Sequence, residues 1–548
     1  MTLTIFPDPA KITELDGTFT VPATIAKALG IFAENVQENI DALASFSIAV
    51  AIAGENDPID GIGAEGYTLN VALDGITIKG NTETGCFYGI QTLRWLLPKD
   101  GMPATDDEDA KIEIPCCYIV DYPRFSYRGY LFDEGRYFLG KDMVKSVLDW
   151  MALLKLNQFH WHLTEDQGWR IEIKKYPKLT EIGSKRTSTP TYRNGEPVNG
   201  EENSDGIPHE GFYTQGDIAE IVDYAAKRHI TIVPEIEMPG HATAALASYP
   251  EMRCILPDDF PPEGADVFGR HLDGVDIKVA TKWGVYCNIF CASNTSTMEF
   301  IHDILEEVVH LFPGPIIHVG GDEVPKTQWM LCERCQEKMA ELGLANEEDL
   351  QKAFTAEIID FLAGLGKKTM VWNEHTDETL AGRKEHAICQ YWTGSIKNVN
   401  GFLERGGKLV MSTSSALYVD YAYHTLPMKK VYEYDPLGTE AQVLSELALE
   451  NANSGGVMGI ETSMWGEVFQ NKWQVEYLTF PRIFAAADIA WTPQDAKDYA
   501  RFMERVVIAV NFLDLLGISH ATLEEADPTK EAIRLAKKNP KFGFHAYF

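Results

Sequence analysis

Residues 141–166 read KDMVKSVLDWMALLKLNQFHWHLTED. Met143, Val147, Met151 and Leu154 recur at the spacing of one helix face, and Gln158 to Leu163 then forms an apolar run of the length of a buried strand. A helix that feeds straight into such a run is one unit of an alternating α/β chain. The same texture extends outward from it. Apolar runs occur at Gly129 to Phe132, Gln158 to Leu163, Ile230 to Ile236, Ile316 to Gly320, Thr369 to Trp372, Ala387 to Tyr391, Lys408 to Met411 and Val457 to Met464. Helical periodicities lie between them, one through Ile218, Ile221, Val222 and Ala225, another through Phe300, Ile304, Leu305 and Val308. Thr214 and Asp217 stand where a capping box would open the first of these. Eight runs joined by helix-length crossovers imply parallel pairing, and the closed solution for eight is an α/β fold of the (β/α)8 type, a TIM barrel.

The flanks read differently. Tyr67 to Val71 and Ile76 to Ile78 look like a hairpin turning at Asp74-Gly75. Thr84-Gly85 opens a helix through Tyr88, Ile90, Leu93 and Leu96, ended by Pro98 and the polar stretch Asp100 to Asp109. The expected organisation is a small α+β domain over 1–124, the barrel over 125–492, and a helical C-terminal segment over 493–548.

Composition narrows the chemistry. The chain has 548 residues, 45% of them hydrophobic, enough for a large core. Its net charge of −33 repels polyanions, so neither nucleic acid nor an anionic membrane is an expected partner. The N-terminus Met1-Thr2-Leu3-Thr4-Ile5-Phe6-Pro7 lacks a basic and then apolar leader, which gives a cytoplasmic expectation. Nine scattered cysteines read as reduced thiols. Cys332-x-x-Cys335 has neither a second pair nor a histidine near it in sequence, so no metal is expected there and no cofactor elsewhere.

In such a barrel the chemistry stands where the strands end. Read in order, the exits offer Arg136; Glu165, Asp166 and Trp169; Glu235, Glu237 and His241; Gly320-Gly321-Asp322-Glu323; Trp372 and Glu374; Trp392; Tyr418 and Asp420; Trp465 and Glu467. Carboxylates accept hydrogen bonds from hydroxyls, and indole faces cover the apolar side of a sugar ring, so the mouth suits a neutral polyhydroxylated ligand. Ordinary glycosidases flank the scissile bond with two separated carboxyls. Asp322 and Glu323 are neighbours and cannot easily do that. They can divide the work on one side: Glu323 protonates the leaving oxygen while Asp322 holds a substrate group that attacks from beneath the ring. Spacing alone leaves Glu467 or Asp420 open as a protein nucleophile.

Nearly the whole chain resembles the family 20 glycoside hydrolases, the β-N-acetylhexosaminidases. The resemblance is carried by Arg128-Gly129 through Arg136, Lys155 to Leu163, Pro234 to His241, His318 to Glu323 and Met464 to Glu467, with Gly66 to Leu93 similar to the small domain that precedes the barrel in that family. It implies retaining, exo-acting removal of terminal β-linked N-acetylhexosamine from an oligosaccharide or small glycoside, through an oxazolinium formed by the substrate's own acetamido group. It further implies Glu323 as general acid/base, Asp322 as the group that orients the acetamido, and Tyr418 as donor to its carbonyl. Trp372, Trp392 and Trp465 would form the walls. Arg136 and Glu467 would bind ring hydroxyls, and Asp420 the 6-hydroxyl. Glu165, Glu237 and His241 would lie behind Glu323. Glu165 and Glu237 stand where the family commonly has Asp, each one methylene longer.

Three other readings remain: a disaccharide-releasing member of the family, a sugar-binding barrel without catalysis, and a metal-dependent hydrolase built on His160-Trp161-His162. The last lacks ligands on later strands, where only His375 is near. Linkage, the choice between gluco and galacto sugars, and oligomeric state are not written in the sequence.

Overall fold

A computed structural model of the chain describes residues 3–25, 43–54, 58–98, 110–190, 204–256, 263–265, 271–273, 276–375, 380, 382–438 and 441–538. The stretch Asp100 to Asp109, Met1-Thr2 and the last ten residues, all part of the sequence reading, lie outside the described residues.

The N-terminal sheet contains β1 (Lys11–Pro22), β2 (Ile48–Ile52), β3 (Tyr67–Ala72), β4 (Gly75–Gly80) and β5 (Lys111–Asp121), in the order β1-β5-β3-β4-β2. Helix α1 (Glu83–Leu96) packs on it, with Thr82 capping its N-terminus through Gly85 N. The hairpin forms as expected, but Ala72 pairs with Gly75, so the turn residues are Leu73-Asp74 and Gly75 belongs to the strand. A Cβ at Gly75 would lie 2.8 Å from Ser47 O, at the entry to β2. Glycine there serves close strand approach, not the turn.

The eight expected runs become β6 (Tyr127–Asp133), β7 (Gln158–His162), β8 (Thr231–Glu235), β9 (Ile316–His318), β10 (Lys368–Trp372), β11 (Ala387–Tyr391), β12 (Lys408–Met411) and β13 (Val457–Met464). They close into a barrel in chain order, every neighbouring pair parallel. Helices α2 (Lys141–Leu153), α3 (Gln215–Ala226), α4 (Thr295–Leu311) and α5 (Glu347–Gly364) are among the crossovers. The capping box at Thr214 and Asp217 is present in full.

The sequence left the C-terminal helices unplaced. Helix α7 (Tyr499–Leu516) packs beside α6 (Arg482–Trp491), the last barrel helix, and the two together hold the N-terminal strand of chain. Arg505 pairs with Asp488 at 2.5 Å, donates to Ile5 O at 2.8 Å and lies 4.5 Å from the Phe6 ring. The small domain is tied to the barrel by Asp121, which accepts from Lys155 Nζ (2.7 Å), Trp491 Nε1 (2.8 Å) and Tyr67 OH (2.5 Å). A buried carboxylate with three donors is satisfied, so the joint is rigid rather than a linker. Among the described residues no helix is long and apolar enough to cross a membrane.

Cys332 and Cys335 do have a second pair. Cys254 and Cys291, distant in sequence, fold against them, and all four sulfurs are buried.

Candidate active site

The chain leaves β9 at His318 and turns sharply. Gly320 N lies 3.0 Å from His318 Nδ1, and Gly320 (φ +66°) and Gly321 (φ +99°) both take left-handed backbone. At Gly320 this is obligatory twice over, because a Cβ would also sit 1.7 Å from a Glu237 oxygen. From α5, Gln351 Nε2 grips Gly321 O at 2.8 Å. Glu323 is then held at φ +49°, a conformation a non-glycine residue adopts only where the surroundings enforce it, at a cost of about 1–3 kcal/mol. His241, on the loop after β8, carries the same strain at φ +46°. Two strained residues face each other in one pocket.

His241 joins the acids. Its Nδ1 lies 2.8 Å from Glu165 and 3.1 Å from Asp166, and its Nε2 faces Glu323 at 3.7 Å and Asp322 at 3.9 Å. Burial alone would lower its pKa, but the carboxylates, Glu165 first, raise it well above the ordinary histidine value. The imidazolium therefore lies between two acid pairs. Burial raises Asp322 to about 6, with Glu323 and Glu235 adding to the rise and His241 opposing it. Asp322 is 14% exposed and Glu323 43%. The first is a pocket residue and the second stands at the mouth. Asp322 Oδ1 is buried with no hydrogen-bond partner among the described residues. Glu237, beneath Gly320, is pushed well above the usual carboxylate range by burial and by the charge of Asp322. Its place is under the reacting acids, not in the mouth.

Arg136 crosses the pocket from the β6 exit. It pairs with Asp133 (2.9 Å) and Glu165 (2.8 Å), lies 4.0 Å from Glu467, and stacks 5.1 Å from the Trp465 ring. Asp133, which the sequence reading passed over, also accepts from Arg136 N and Gly466 N, so it fixes both the β6 and β13 exits. Its position as the last residue of a strand was the available signal.

An aromatic cluster continues from Trp465. Trp372, Tyr418 and Trp465 pack with Leu131, and Trp392 and Tyr421 close the group. Trp392 and Tyr418 lie almost parallel at 6.4 Å, while Trp465 is 5.9 Å from Trp372 and 6.0 Å from Tyr418. Trp392 Nε1 donates to Glu374 at 2.9 Å. Burial, then the nearby charge of Asp420, raises the Tyr418 phenol well above its usual range, so it stays a donor. Asp420 is itself buried.

Below this floor the barrel interior is polar. Glu235 is the hub: it accepts from Trp372 Nε1 (2.9 Å), pairs with His318 Nδ1 (2.7 Å) and His160 Nε2 (3.1 Å), and bonds His162 Nδ1. Burial would raise its pKa, but His318, His162 and His160 together bring it well below the usual carboxylate range. His160 also reaches Glu461 at 2.8 Å, and Glu461 accepts from Gln390 and Tyr127 at 2.6 Å each. The two histidines of His160-Trp161-His162 thus turn inward onto carboxylates beneath the site. Sequence reasoning placed Glu235 only at a strand exit. Glu235→Gln is expected to lower unfolding stability by about 3–5 kcal/mol, because it leaves buried imidazoles without their counter-charge. A denaturant titration checks it, and an unchanged midpoint would contradict the hub.

The fold and site match known proteins. The model of the family 20 glycosyl hydrolase catalytic domain matches residues 125–494, and that of domain 2 of the same family matches 2–122. A β-hexosaminidase of Porphyromonas gingivalis is 35% identical over 543 residues, covering 94% of this chain; the chain spans 64% of that relative's length. A β-hexosaminidase of Akkermansia muciniphila is 29% identical over 81% of this chain and 82% of its own. Among solved structures, an exo-β-N-acetylglucosaminidase of Vibrio harveyi in complex with N-acetylglucosamine superposes with a TM-score of 0.76, at 27% identity, over 95% of this chain and 79% of that one. A mutant β-hexosaminidase of Streptomyces plicatus in complex with its product GlcNAc gives 0.73, at 26% identity, over 96% and 97%. A barrel with acids and aromatics at its strand exits, matched by the family's models over both of its domains, leaves one assignment: the chain belongs to glycosyl hydrolase family 20.

Proposed function

We propose that the chain is a retaining exo-β-N-acetylhexosaminidase in which the substrate's acetamido group is the nucleophile. The observation that carries this reading is Asp322 Oδ1, a buried acceptor with no hydrogen-bond partner among the described residues, on the residue next to a half-open Glu323. A sugar seated between the aromatic wall and this acid brings an acetamido N–H to that oxygen. The hydrogen bond turns the acetamido oxygen toward the anomeric carbon. Tyr418, kept protonated, donates to the same oxygen and sets its direction.

Attack forms the oxygen–carbon bond as the glycosidic carbon–oxygen bond breaks. Glu323 gives its proton to the leaving oxygen, and the positive charge of the resulting oxazolinium rests beside Asp322. Water, deprotonated by Glu323, then opens the ring from the face the aglycone left, so configuration is retained. A nucleophile tethered to the same ring supplies about 7–11 kcal/mol of barrier reduction through proximity. The fixed charge of Asp322 stabilises the developing cation. Arg136 and Glu467, beside Trp465, are suited to the ring hydroxyls of a terminal sugar, and Asp420 to the 6-hydroxyl.

Nitrophenyl glycosides test this directly. The N-acetylglucosaminide is expected to be cleaved, and the glucoside without the acetamido to be inert. Ready hydrolysis of the glucoside would overturn the mechanism. Defined oligosaccharides should release single N-acetylhexosamines; release of disaccharides would overturn the exo assignment.

A further inference from the structure

Cys254, Cys291, Cys332 and Cys335 offer four sulfurs that all lie within 4.8 Å of one another. Two of the separations are 3.7 Å (Cys254–Cys335) and 3.8 Å (Cys291–Cys335). A disulfide would need about 2.05 Å. Four thiolates at about 2.3 Å from one tetrahedral zinc ion stand about 3.8 Å apart, which is the spacing found. We propose that these four cysteines form a structural zinc site that staples the loop after β8 to the loop after β9.

The backbone around the sulfurs is arranged for such a site. Cys335 N donates to Cys332 O at 3.0 Å, so the C-x-x-C segment turns both side chains the same way at the start of a helix, Glu333–Leu342. An antiparallel bridge between Arg253 and Phe290 joins the two segments that carry Cys254 and Cys291, the residue after each. Ser293 Oγ donates to Cys335 Sγ at 3.2 Å, the outer-shell bond that steadies a ligating thiolate. Lys338 Nζ rests on Ala292 O at 2.7 Å and brings a cation next to a cluster that would carry a net charge of about −2 with zinc bound. Four buried thiols without a metal would gain none of this.

The site also has somewhere to transmit its rigidity. Phe290, next to Cys291, donates from N to Pro239 O (2.9 Å) and accepts at O from Trp329 Nε1 (2.9 Å). Pro239 and Gly240 precede the strained His241, and Trp329 lies between Glu323 and Cys332. A Cβ on Gly240 would stand 3.2 Å from Val324 and 3.5 Å from Asp322 O. Zinc would therefore hold together the two loops that present His241 and the Asp322-Glu323 pair, with no contact of its own to substrate.

Elemental analysis of the full-length protein, purified without added metal and desalted, is expected to find about one zinc per chain. Titration with a mercurial in the presence of a chromophoric zinc chelator should release that zinc as four thiols react. Replacement by cobalt(II) should give the d–d and charge-transfer bands of a tetrathiolate. The double variant Cys332→Ser/Cys335→Ser should lose the zinc and show a lowered thermal midpoint. If that variant does not fold, the measurements on the unaltered chain stand by themselves. Zinc-free protein with nine free thiols, iron in place of zinc, or an intact mass four hydrogens short, meaning two disulfides, would each overturn the assignment.

Discussion

Asp322→Asn is expected to lower kcat on an aryl N-acetylglucosaminide by roughly 10²–10³-fold, about 2.7–4 kcal/mol, with little change in KM. The side chain keeps its size and still accepts a hydrogen bond, so the ground state is nearly as well bound. What it loses is negative charge where the acetamido becomes cationic, and that charge matters only as the barrier is approached. The same residue sets an acid limb. In the free enzyme Asp322 is raised to about 6 by burial and by its acidic neighbours. The reacting form is the carboxylate, so kcat/KM should rise as pH increases through about 6 and fall below it. Steady-state kinetics on the purified variant and a pH profile on the parent check both statements. A variant within threefold of the parent would mean that another group carries the cation.

Glu323→Gln is expected to abolish turnover of chitobiose-like substrates, a loss of roughly 10²–10⁴-fold, and to spare dinitrophenyl glycosides much of their first step. A poor leaving group cannot depart without a proton; an activated phenolate can. The variant also removes one of the negative charges that raise Asp322. The acid limb measured on the activated substrate should therefore move to lower pH. Equal losses on both substrates would show that Glu323 does something other than donate a proton.

Beyond these acids, the site depends on groups whose role is visible only in three dimensions. Glu237 stands one methylene longer than the family's usual Asp. The structure accommodates the longer arm against Gly320, where no side chain could stand, and burial there raises its pKa well above the usual carboxylate range. Glu165 uses its length to reach both Arg136 and His241 at 2.8 Å. The two substitutions therefore differ in consequence: one is packed beneath Gly320 close to Asp322, and the other ties Arg136 to the His241 ring behind the reacting acids.

Local pattern was enough for the barrel. Strand runs such as Gln158–His162 announce themselves as short unbroken apolar runs and crossovers such as α2 by a period of 3.6, and both depend only on neighbours along the chain. The strand exits followed from the same pattern, since a parallel barrel puts every C-terminal strand end on one face. The sequence by itself thus determined the fold, the family resemblance and which acids and aromatics stand near the strand ends. Tertiary structure decided the rest: that Leu73-Asp74 makes the hairpin turn, that His241 is shared by four carboxylates, that Glu235 gathers three histidines from two strands, and that Cys254 and Cys291 meet a C-x-x-C pair distant in sequence. The physical reason is common to all four. Each depends on distances between segments that no local periodicity encodes, and on burial, which fixes both the charge a group carries and the partner it must have.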